Sequence, residues 1–365
     1  MKVTDYIIEY VINEGVTDIF GYPGGVICHF MDSATKYSSD INMHINYHEQ
    51  AAAFAACGYA QEKCDVGVAF STSGPGATNL VTGIANAYFD SIPVVFFTGQ
   101  VDTYGLKGNL PIRQRGFQET DMISIVDSIT KYAVRVDDPK NIKYELDKAF
   151  SMAKEGNPGP VLVDLPADVQ RADIDVNNLM GFKKQENRAD LSGTVDFILN
   201  KIMESKRPCL LIGNGVKQSG CKKLLERFVN IMEIPTVFSM PAFDTLAYDN
   251  KYNYGFIGAN GHRYGNFVLG KADLIICIGS RLDLKQVGND RSKFASQSNI
   301  IRVDIDNNNF KFAVHEHEIQ IQADIRVLLP ELLNNVSGEF TCSKEWNDVC
   351  GQIKKTLEDY DDEVY

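Results

Sequence analysis

Apolar and polar residues alternate with the period of a strand at several points along the chain, and helix-like segments follow. Ile41, Met43 and Ile45 alternate with polar residues, as in a half-buried strand. The alanine-rich run from Ala51 onwards then predicts a helix with so little side-chain bulk that another backbone can approach it closely. Glu49 therefore lies where a predicted strand ends and a predicted helix begins.

The same unit of strand, glycine-bearing loop and helix recurs along the chain. Strands that alternate with helices indicate parallel sheets covered on both faces. We therefore predict an α/β fold with two doubly wound, mainly parallel sheets. The predicted strands lie in VTDIFG, INMHINY, DVGVAFS, IPVVFFTG, KYAVRV and GPVLVDLP in the first half, and in PCLLIG, IPTVFS, ADLIICIG and NIIRVDID in the second.

The apolar periodicity breaks off between the two halves. Residues 169–192 carry many charges and no apolar period, which indicates a linker between a first domain at 1–168 and a central domain at 193–338. The remaining residues, 339–365, are polar and predict a helix followed by a solvated tail.

The composition argues against several kinds of partner. A net charge of −12 is unsuited to binding nucleic acid or an anionic membrane. No apolar run has the length of a membrane span, and residues 1–15 form an amphipathic helix pattern rather than a signal peptide. The eight cysteines include no C-x-x-C pair, which favours reduced core residues over disulfides or a zinc site. We expect a cytoplasmic protein.

Three loops should meet at one edge of the first sheet, because ligands of open parallel sheets bind beyond the carboxyl ends of the strands. These loops are 21–25 (GYPGG), 47–50 (YHEQ) and 71–79 (STSGPGATN). Their glycines and prolines suit tight turns and a close approach to a ligand. Each loop taken alone has an ordinary explanation, since Gly-Pro-Gly forms turns and a glutamate in the first helical turn complements the helix dipole.

Taken together, these motifs resemble the acetolactate synthase family of thiamine-diphosphate-dependent enzymes. The resemblance is dense as far as about residue 170 and looser beyond it. It implies a thiamine diphosphate pyrimidine-binding fold followed by a Rossmann-like central domain. The segments that carry it are, in order, FGYPGG, HEQAAAFAACGYA, STSGPGATNLVTGIANAYFDSIPVVFFTGQV, GFQETD and PGPVLVDLP.

The resemblance implies a catalytic role for Glu49. In the family the corresponding glutamate hydrogen-bonds to N1′ of the cofactor's aminopyrimidine ring and favours its 4′-imino tautomer. The imino nitrogen then removes the proton from C2 of the thiazolium ring. The neighbouring alanines would keep the carboxylate desolvated. His48 is either a neighbour of the ring or a helix cap.

The resemblance also assigns residues to the cofactor and the substrate. Phe117 and Gln118 would face the reacting carbons, and Gln100 and Lys131 match family positions near the site. The ordinary alternatives are core packing for Phe117 and a solvated strand end for Lys131. The residues assigned to the cofactor are Tyr22, Pro23, Gly24, Gly25, Glu49, Pro75, Gly76 and Asn79.

The chain departs from the family in having no Gly-Asp-Gly motif. In the family that motif lies in a third domain, which holds the diphosphate and its Mg²⁺. We therefore expect no metal ligands among these residues and a missing third domain of roughly 150–200 residues, either removed from a longer enzyme or present on another chain. The chain alone should then be inactive.

A second departure concerns FAD, which acetolactate synthases bind in the central domain. Asn157 replaces a family arginine, and residues 258–261 differ from the family's Gly-Met-His-Gly. Arg281 and residues 303–306 match. FAD binding therefore stays possible, but the differences from the family at Asn157 and residues 258–261 argue against it.

Arg113 and Arg115 form the third departure, since the family mostly has small or acidic residues there. Two arginines close to Phe117 favour an anionic acceptor different from those of the branched-chain pathway enzymes. The alternative is that both are solvated and pair with Glu119 or Asp121.

We predict part of an enzyme that decarboxylates a 2-keto acid and transfers the resulting acyl unit to a second carbonyl. Active sites in this family form between subunits, so we expect a homodimer or a dimer of dimers. The alternatives are a non-catalytic fragment or subunit that needs a separate diphosphate-binding domain, a simple 2-keto acid decarboxylase, and a nucleotide-binding oxidoreductase. The last would use the glycines of residues 213–216, which lack the full G-x-G-x-x-G spacing.

Overall fold

A computed structural model describes residues 1–183, 191–336 and 341–362. The chain divides into two compact units, Met1–Glu186 and Asn187–Tyr365. Each unit is described by itself.

The first unit contains a sheet of six parallel strands in the order β2-β1-β3-β4-β6-β5. Alternate residues of its central strands enter two separate clusters of buried side chains, so helices cover both faces. Helices α1, α2 and α7 pack on one face, and α3, α5 and α6 pack on the other. The strands are β1 (Asp18–Gly21), β2 (Asn42–Ile45), β3 (Gly67–Ser71), β4 (Val94–Gln100), β5 (Tyr132–Arg135) and β6 (Val161–Pro166), and the helices are α1 (Val3–Asn13), α2 (Cys28–Lys36), α3 (Glu49–Lys63), α4 (Pro75–Asn79), α5 (Val81–Phe89), α6 (Met122–Val126), α7 (Ile142–Lys154) and α8 (Ala167–Arg171).

The second unit repeats this architecture, with six parallel strands in the order β12-β11-β10-β7-β8-β9. Helices α9, α11 and α14 pack on one face, and α12 and α15 on the other. Its strands are β7 (Pro208–Ile212), β8 (Thr236–Phe238), β9 (Asn253–Phe256), β10 (Leu274–Ile278), β11 (Asn299–Asp304) and β12 (Ile319–Gln322), and its helices are α9 (Ser192–Glu204), α10 (Asn214–Gln218), α11 (Lys222–Met232), α12 (Arg263–Lys271), α13 (Leu284–Val287), α14 (Ile325–Asn335) and α15 (Lys344–Asp362).

The predicted α/β class is confirmed, and each predicted strand is present. The sequence missed β9 and β12, which are the two edge strands of the second sheet. Strand β12 reads Ile-Gln-Ile-Gln and is largely exposed, while β9 has only four residues, including Asn253 and Gly255. Edge strands this short lack the apolar run that marks a buried strand.

Residues 169–183, which the sequence predicts as part of a linker, belong to the first unit. Val169, Gln170 and Ile174 are buried, and Asp173 pairs with Lys2 in an antiparallel bridge. These contacts are made by isolated residues, so they leave no apolar period in the sequence. Residues 184–190 lie outside the described residues.

The polar C-terminal segment forms the predicted helix, α15, and one side of it is buried. Trp346 and Cys350 belong to a core cluster of the second unit, and the Trp346 indole N–H donates to the carbonyl of Pro208 at 2.9 Å. The predicted tail, 363–365, lies outside the described residues. All eight cysteines are free thiols; six are buried, but Cys64 is only partly buried and Cys28 is exposed.

Among the described residues, no helix is long and apolar enough to cross a membrane.

Candidate active site

Three adjacent parallel strands bring the predicted loops to one edge of the first sheet. Gly21, the last residue of β1, pairs with Ile45 of β2 and with Phe70 of β3. The loops that follow these strands therefore leave the sheet side by side, as the sequence predicts.

Helix α3 lies very close to its neighbours, which fixes the position of Glu49 at its start. A Cβ on Gly67 of β3 would lie 2.1 Å from the carbonyl oxygen of Ala56, and one on Gly83 of α5 would lie 2.2 Å from the Cβ of Ala53. No larger side chain fits between these backbones. The predicted close packing of the alanine helix is thus present.

The Glu49 carboxylate is buried, with 7% of the residue exposed. Its Oε2 accepts a hydrogen bond from the Asn79 amide at 2.9 Å. No described residue donates to Oε1, and a Cβ on Gly76 would come within 3.0 Å of this oxygen. The carboxylate is therefore oriented by Asn79 and offers Oε1 to a donor beside a glycine.

His48 caps helix α3. Its Nδ1 accepts a hydrogen bond from the backbone N–H of Gln50 at 3.1 Å, which satisfies one of the free donors at the helix start. Of the two roles that the sequence left open for His48, the structure shows the cap.

The loop that follows β1 is fixed from two sides. A Cβ on Gly24 would lie 2.3 Å from the Cβ of Thr72, so this loop touches the loop that follows β3. The carbonyl of Val26 accepts a hydrogen bond at 2.6 Å from the amide of Gln170, which is fully buried and also donates to the carbonyl of Leu165. The sequence analysis missed Gln170, because a single glutamine in a segment without periodicity gives no signal of its partners.

The segment around Gln118 reaches the same edge. Gln118 has a left-handed backbone conformation with φ of 60°, and a Cβ on Gly74 would lie 2.7 Å from the Gln118 Cβ. Gly74 also has a positive φ, of 62°, which glycine adopts without strain. Phe117 is 81% exposed, so core packing is excluded as its role in this chain.

Gln100 holds this segment from inside the sheet. The residue is 1% exposed, and its Nε2 donates to the carbonyl of Thr120 at 2.8 Å and to Asp164 at 3.0 Å. Thr98 donates to the other oxygen of Asp164 at 2.7 Å. Complete burial of Asp164 raises the pKa of this carboxyl to about 7, although both hydrogen bonds oppose that change. Asp164 was not predicted to be near the site.

Lys131 does not reach this edge. It immediately precedes β5, at the amino end of the strand, and its Nζ donates to the carbonyl of Glu155. Lys131 therefore lies at a strand end, which is the alternative that the sequence left open, and not beside the three loops at the carboxyl ends of the strands.

Arg113 and Arg115 are exposed on the connection between β4 and α6. Neither guanidinium forms a hydrogen bond or an ion pair with any residue that the structure describes. Glu119 binds the backbone N–H of Arg115 at 2.8 Å instead of its side chain, and Asp121 caps α6 through Ser124. The pairing suggested as the ordinary alternative is therefore absent among the described residues.

The corresponding edge of the second sheet is filled by its own chain. A Cβ on Gly213 would lie 2.1 Å from the carbonyl oxygen of Gly279. Asp304 accepts hydrogen bonds from the backbone N–H of Asp306 at 2.9 Å and from the Asn309 amide at 3.2 Å.

The loop 258–261, at the same edge, is bonded in the same way. The Ala259 N–H donates to the carbonyl of Lys285 at 3.1 Å, and Asn266 bonds to both backbone groups of Gly258. Asp304 and the loop 258–261 thus have hydrogen-bond partners within the second unit, whereas the side chain of Arg281 is 57% exposed and lies 3.8 Å from Asp283.

The described residues include no group of three or more histidine, cysteine, aspartate or glutamate side chains that could hold a metal ion.

Two family models match the chain. The model of the thiamine pyrophosphate enzyme N-terminal TPP binding domain matches residues 1–125, and that of the thiamine pyrophosphate enzyme central domain matches residues 195–332.

Three curated relatives are similar over most of the chain. A probable acetolactate synthase large subunit of Methanocaldococcus jannaschii is 37% identical over 99% of this chain and 61% of the relative. Acetolactate synthase 1, chloroplastic, of Zea mays is 35% identical over 97% and 55%, and the acetolactate synthase large subunit of Lactococcus lactis is 36% identical over 89% and 56%. The chain thus spans between 55% and 61% of the length of these relatives.

Proposed function

Because the chain belongs to the thiamine pyrophosphate enzyme family, we propose that it forms part of an acetolactate-synthase-like enzyme. The proposed reaction decarboxylates a 2-keto acid and transfers the remaining acyl unit to a second carbonyl compound. The observation that carries this proposal is the buried carboxylate of Glu49, whose Oε1 receives no hydrogen bond from a described residue where three loops meet. Thiamine diphosphate, when bound, supplies the electron sink for decarboxylation.

In this proposal the described residues hold the aminopyrimidine half of the cofactor. Oε1 of Glu49 would accept a hydrogen bond from the ring, while Asn79 keeps the carboxylate in one orientation through Oε2. Burial strengthens such a hydrogen bond because little water competes for the carboxylate. We propose that Tyr22–Gly25 and Pro75 line the same space, because Gly24 and Gly76 both lie against Thr72. We propose that groups other than the described residues hold the diphosphate and its Mg²⁺.

Gly76 provides a test of the cofactor site. A Cβ at this position would lie 2.7 Å from Thr72 and 3.0 Å from Glu49 Oε1, so Gly76→Ala should crowd the proposed ring position. We expect the affinity for thiamine diphosphate, measured by titration calorimetry with Mg²⁺, to fall by about tenfold or more, equivalent to ~1.4 kcal/mol.

Gly58→Ala is the matched control for this test. Gly58 lies within α3, and a Cβ there would meet nothing within 4 Å, so affinity should be unchanged. Equal affinity of the Gly76→Ala variant and the wild type would contradict the proposed site.

We further propose that the acceptor is anionic. Arg113 and Arg115 are exposed and precede Phe117 by four and two residues, and neither is paired with a described acidic residue. A guanidinium binds a carboxylate or phosphate through two parallel hydrogen bonds, which a lysine cannot reproduce. In the active enzyme, KM for an anionic acceptor should rise in Arg113→Ala and Arg115→Ala, and lysine should restore it only in part. An unchanged kcat/KM in both alanine variants would contradict the anionic acceptor.

We also propose that the chain forms a homodimer or a dimer of dimers. Phe54 on α3 and Tyr88 and Phe89 on α5 are large apolar residues that are between 41% and 58% exposed. Exposed apolar surface on neighbouring helices favours contact with another protein surface. Sedimentation equilibrium should give at least twice the monomer mass, and Phe54→Ser should weaken the association. A monomer at high protein concentration would contradict this part of the proposal.

A further inference from the structure

The connection between β4 and α6, residues 101–121, is long and largely irregular. Its regular structure is one short 3₁₀ turn, Thr103–Gly105. Connections of this length in a compact domain usually carry function. This one carries both arginines assigned to the acceptor, together with Phe117 and Gln118, so whatever fixes its shape also fixes their position.

The Glu119 carboxylate closes this connection on itself. Its Oε1 accepts the backbone N–H of Lys107 at 2.8 Å, and its Oε2 accepts the backbone N–H of Arg115 at 2.8 Å. The Glu119 N–H donates to the carbonyl of Gly116 at 3.2 Å. One side chain thus joins residues at both ends of the segment that carries Arg113.

Glu119 is itself anchored to the catalytic edge through its two neighbours. Gln118 packs against Gly74 of the loop that follows β3, and the Thr120 carbonyl accepts a hydrogen bond from the buried Gln100. The carboxylate therefore extends from a fixed part of the backbone into an exposed loop. Through this arrangement, the residues at the edge of the sheet fix the position of the loop.

We propose that Glu119 is a positioning residue that holds the backbone of Lys107 and Arg115, and so keeps Arg113 and Arg115 next to Phe117. The inference rests on the proposed function, which gives those arginines the acceptor. Glu119 has no contact with the reacting atoms in this account, and its effect is transmitted through the loop.

The role requires an ionised carboxylate, because both oxygens accept backbone N–H groups. An amide would retain one acceptor and turn an NH₂ group towards the other backbone donor. Burial tends to raise the pKa of Glu119, but the N–H groups of Arg115, Lys107 and Gly116 outweigh it and lower the pKa below its usual value. The carboxylate is therefore ionised at neutral pH.

The test compares Glu119→Gln with the wild type in the full chain. Amide hydrogen exchange at Lys107 and Arg115, normalised to intrinsic rates, should be at least about tenfold faster in the variant, a loss of ~1.4 kcal/mol of protection. Trypsin should cleave after Arg113 and Arg115 correspondingly faster. In the active enzyme, KM for the acceptor should rise while kcat changes little, because the donor half of the site is untouched.

Asp121→Asn is the matched control. It makes the same change from carboxylate to amide two residues away, and asparagine caps a helix as well as aspartate does. Exchange at Lys107 and Arg115 should stay at the wild-type rate in this variant.

A pH series separates positioning from a general loss of stability. In the wild type, the protection of the two amides should be lost as pH falls through the lowered pKa of Glu119, whereas Glu119→Gln should lack this transition. Wild-type exchange and cleavage in Glu119→Gln, or an equal rise throughout β4 and α6, would overturn the inference. Glu119→Gln could speed exchange at the two amides while Arg113→Ala and Arg115→Ala leave KM for the acceptor unchanged. That result would support the positioning role of Glu119 and contradict the anionic acceptor.

Discussion

The two units have the same architecture but differ at the carboxyl edge of their sheets. In the first unit, a buried glutamate has one oxygen to which no described residue donates, next to Gly76. In the second unit, the acidic residue at the end of β11, Asp304, accepts hydrogen bonds from its own chain on both oxygens. The fold places polar groups at this edge in both units, but the acceptor that receives no hydrogen bond from the described residues is in the first unit.

The difference arises from a few residues. In the first unit, alanines and glycines let helix α3 approach the sheet, and Gly76 lies beside Oε1 of Glu49 at the start of this helix. In the second unit, Asn309 lies five residues after Asp304 and reaches back to it, and Gly213 allows the loop after β7 to close against Gly279. If the edge of the first unit binds a ligand and that of the second unit stabilises its own chain, substitutions near the two edges should have different effects.

The largest effect on stability is expected at Arg302, which lies in β11 two residues before Asp304. Its guanidinium is fully buried, lies 3.5 Å from the buried carboxylate of Glu318 and donates to the Arg281 carbonyl at 2.6 Å. Arg302→Ala would leave Glu318 buried without a counter-charge, so we expect a loss of about 3–5 kcal/mol in the free energy of unfolding. Trp346, the single tryptophan, is buried in the same unit and reports its unfolding in urea.

Arg326→Ala is the control for this measurement. Arg326 pairs with Asp324 at 2.6 Å on the surface, and exposed pairs contribute at most about 1 kcal/mol. Equal losses in the two variants would show that the edge of the second unit is not held by the buried pair.

The stability of the first unit should depend on pH through Asp164, which is buried near the carboxyl edge of its sheet. Asp164 has a pKa of about 7 in the folded chain, above its usual value of 3.8, because it is buried. The folded state therefore binds a proton that the unfolded state releases between these values, so stability is highest below the lower value and falls as pH rises towards the upper one. The loss attributable to Asp164 should reach about 4 kcal/mol at most.

Asp164→Asn should remove this part of the pH dependence. Denaturant unfolding followed by near-ultraviolet circular dichroism, at a series of pH values between those two pKa values, measures it. The same slope in the variant and the wild type would assign the dependence to another group.

The smallest effect is an expected absence of colour. Because Asp304 and the loop 258–261 are hydrogen-bonded within the second unit, we predict that the purified protein is colourless and retains no flavin on gel filtration after incubation with FAD. Stoichiometric flavin absorbance would show that the loops at this edge open for a ligand. It would contradict the proposed difference in ligand binding between the two units.

The sequence predicted the buried strands better than the edge strands. Central strands such as β4 and β10 are continuous apolar runs, so their pattern alone marks them. Strands β9 and β12 are short and partly polar, and their pairing with a neighbouring strand, which the pattern does not encode, makes them strands.

The candidate site was predicted where motifs are local and missed where partners are distant. Glu49 and Gly76 lie at the starts of helices, so local patterns and the family resemblance both indicated them, whereas Gln118 was indicated by the family resemblance alone. Gln170 and Asp164 act through residues far away along the chain, Val26 and Gln100 respectively, and a lone polar residue gives no sign of such a partner. Glu119 was considered as a partner of arginine side chains, whereas it binds backbone N–H groups.

The most direct test of the central claim is the rate of hydrogen–deuterium exchange at C2 of thiamine diphosphate bound to the active enzyme, in which this chain is present together with the groups that hold the diphosphate. The account predicts that Glu49→Gln lowers this rate by about 10²–10⁴-fold, because an amide accepts a hydrogen bond but exchanges no proton with the ring. Glu62→Gln, the same change at an exposed position of α3, should leave the rate unchanged. Exchange at the wild-type rate in Glu49→Gln, with the cofactor still bound, would contradict the assignment of Glu49 as the activating group.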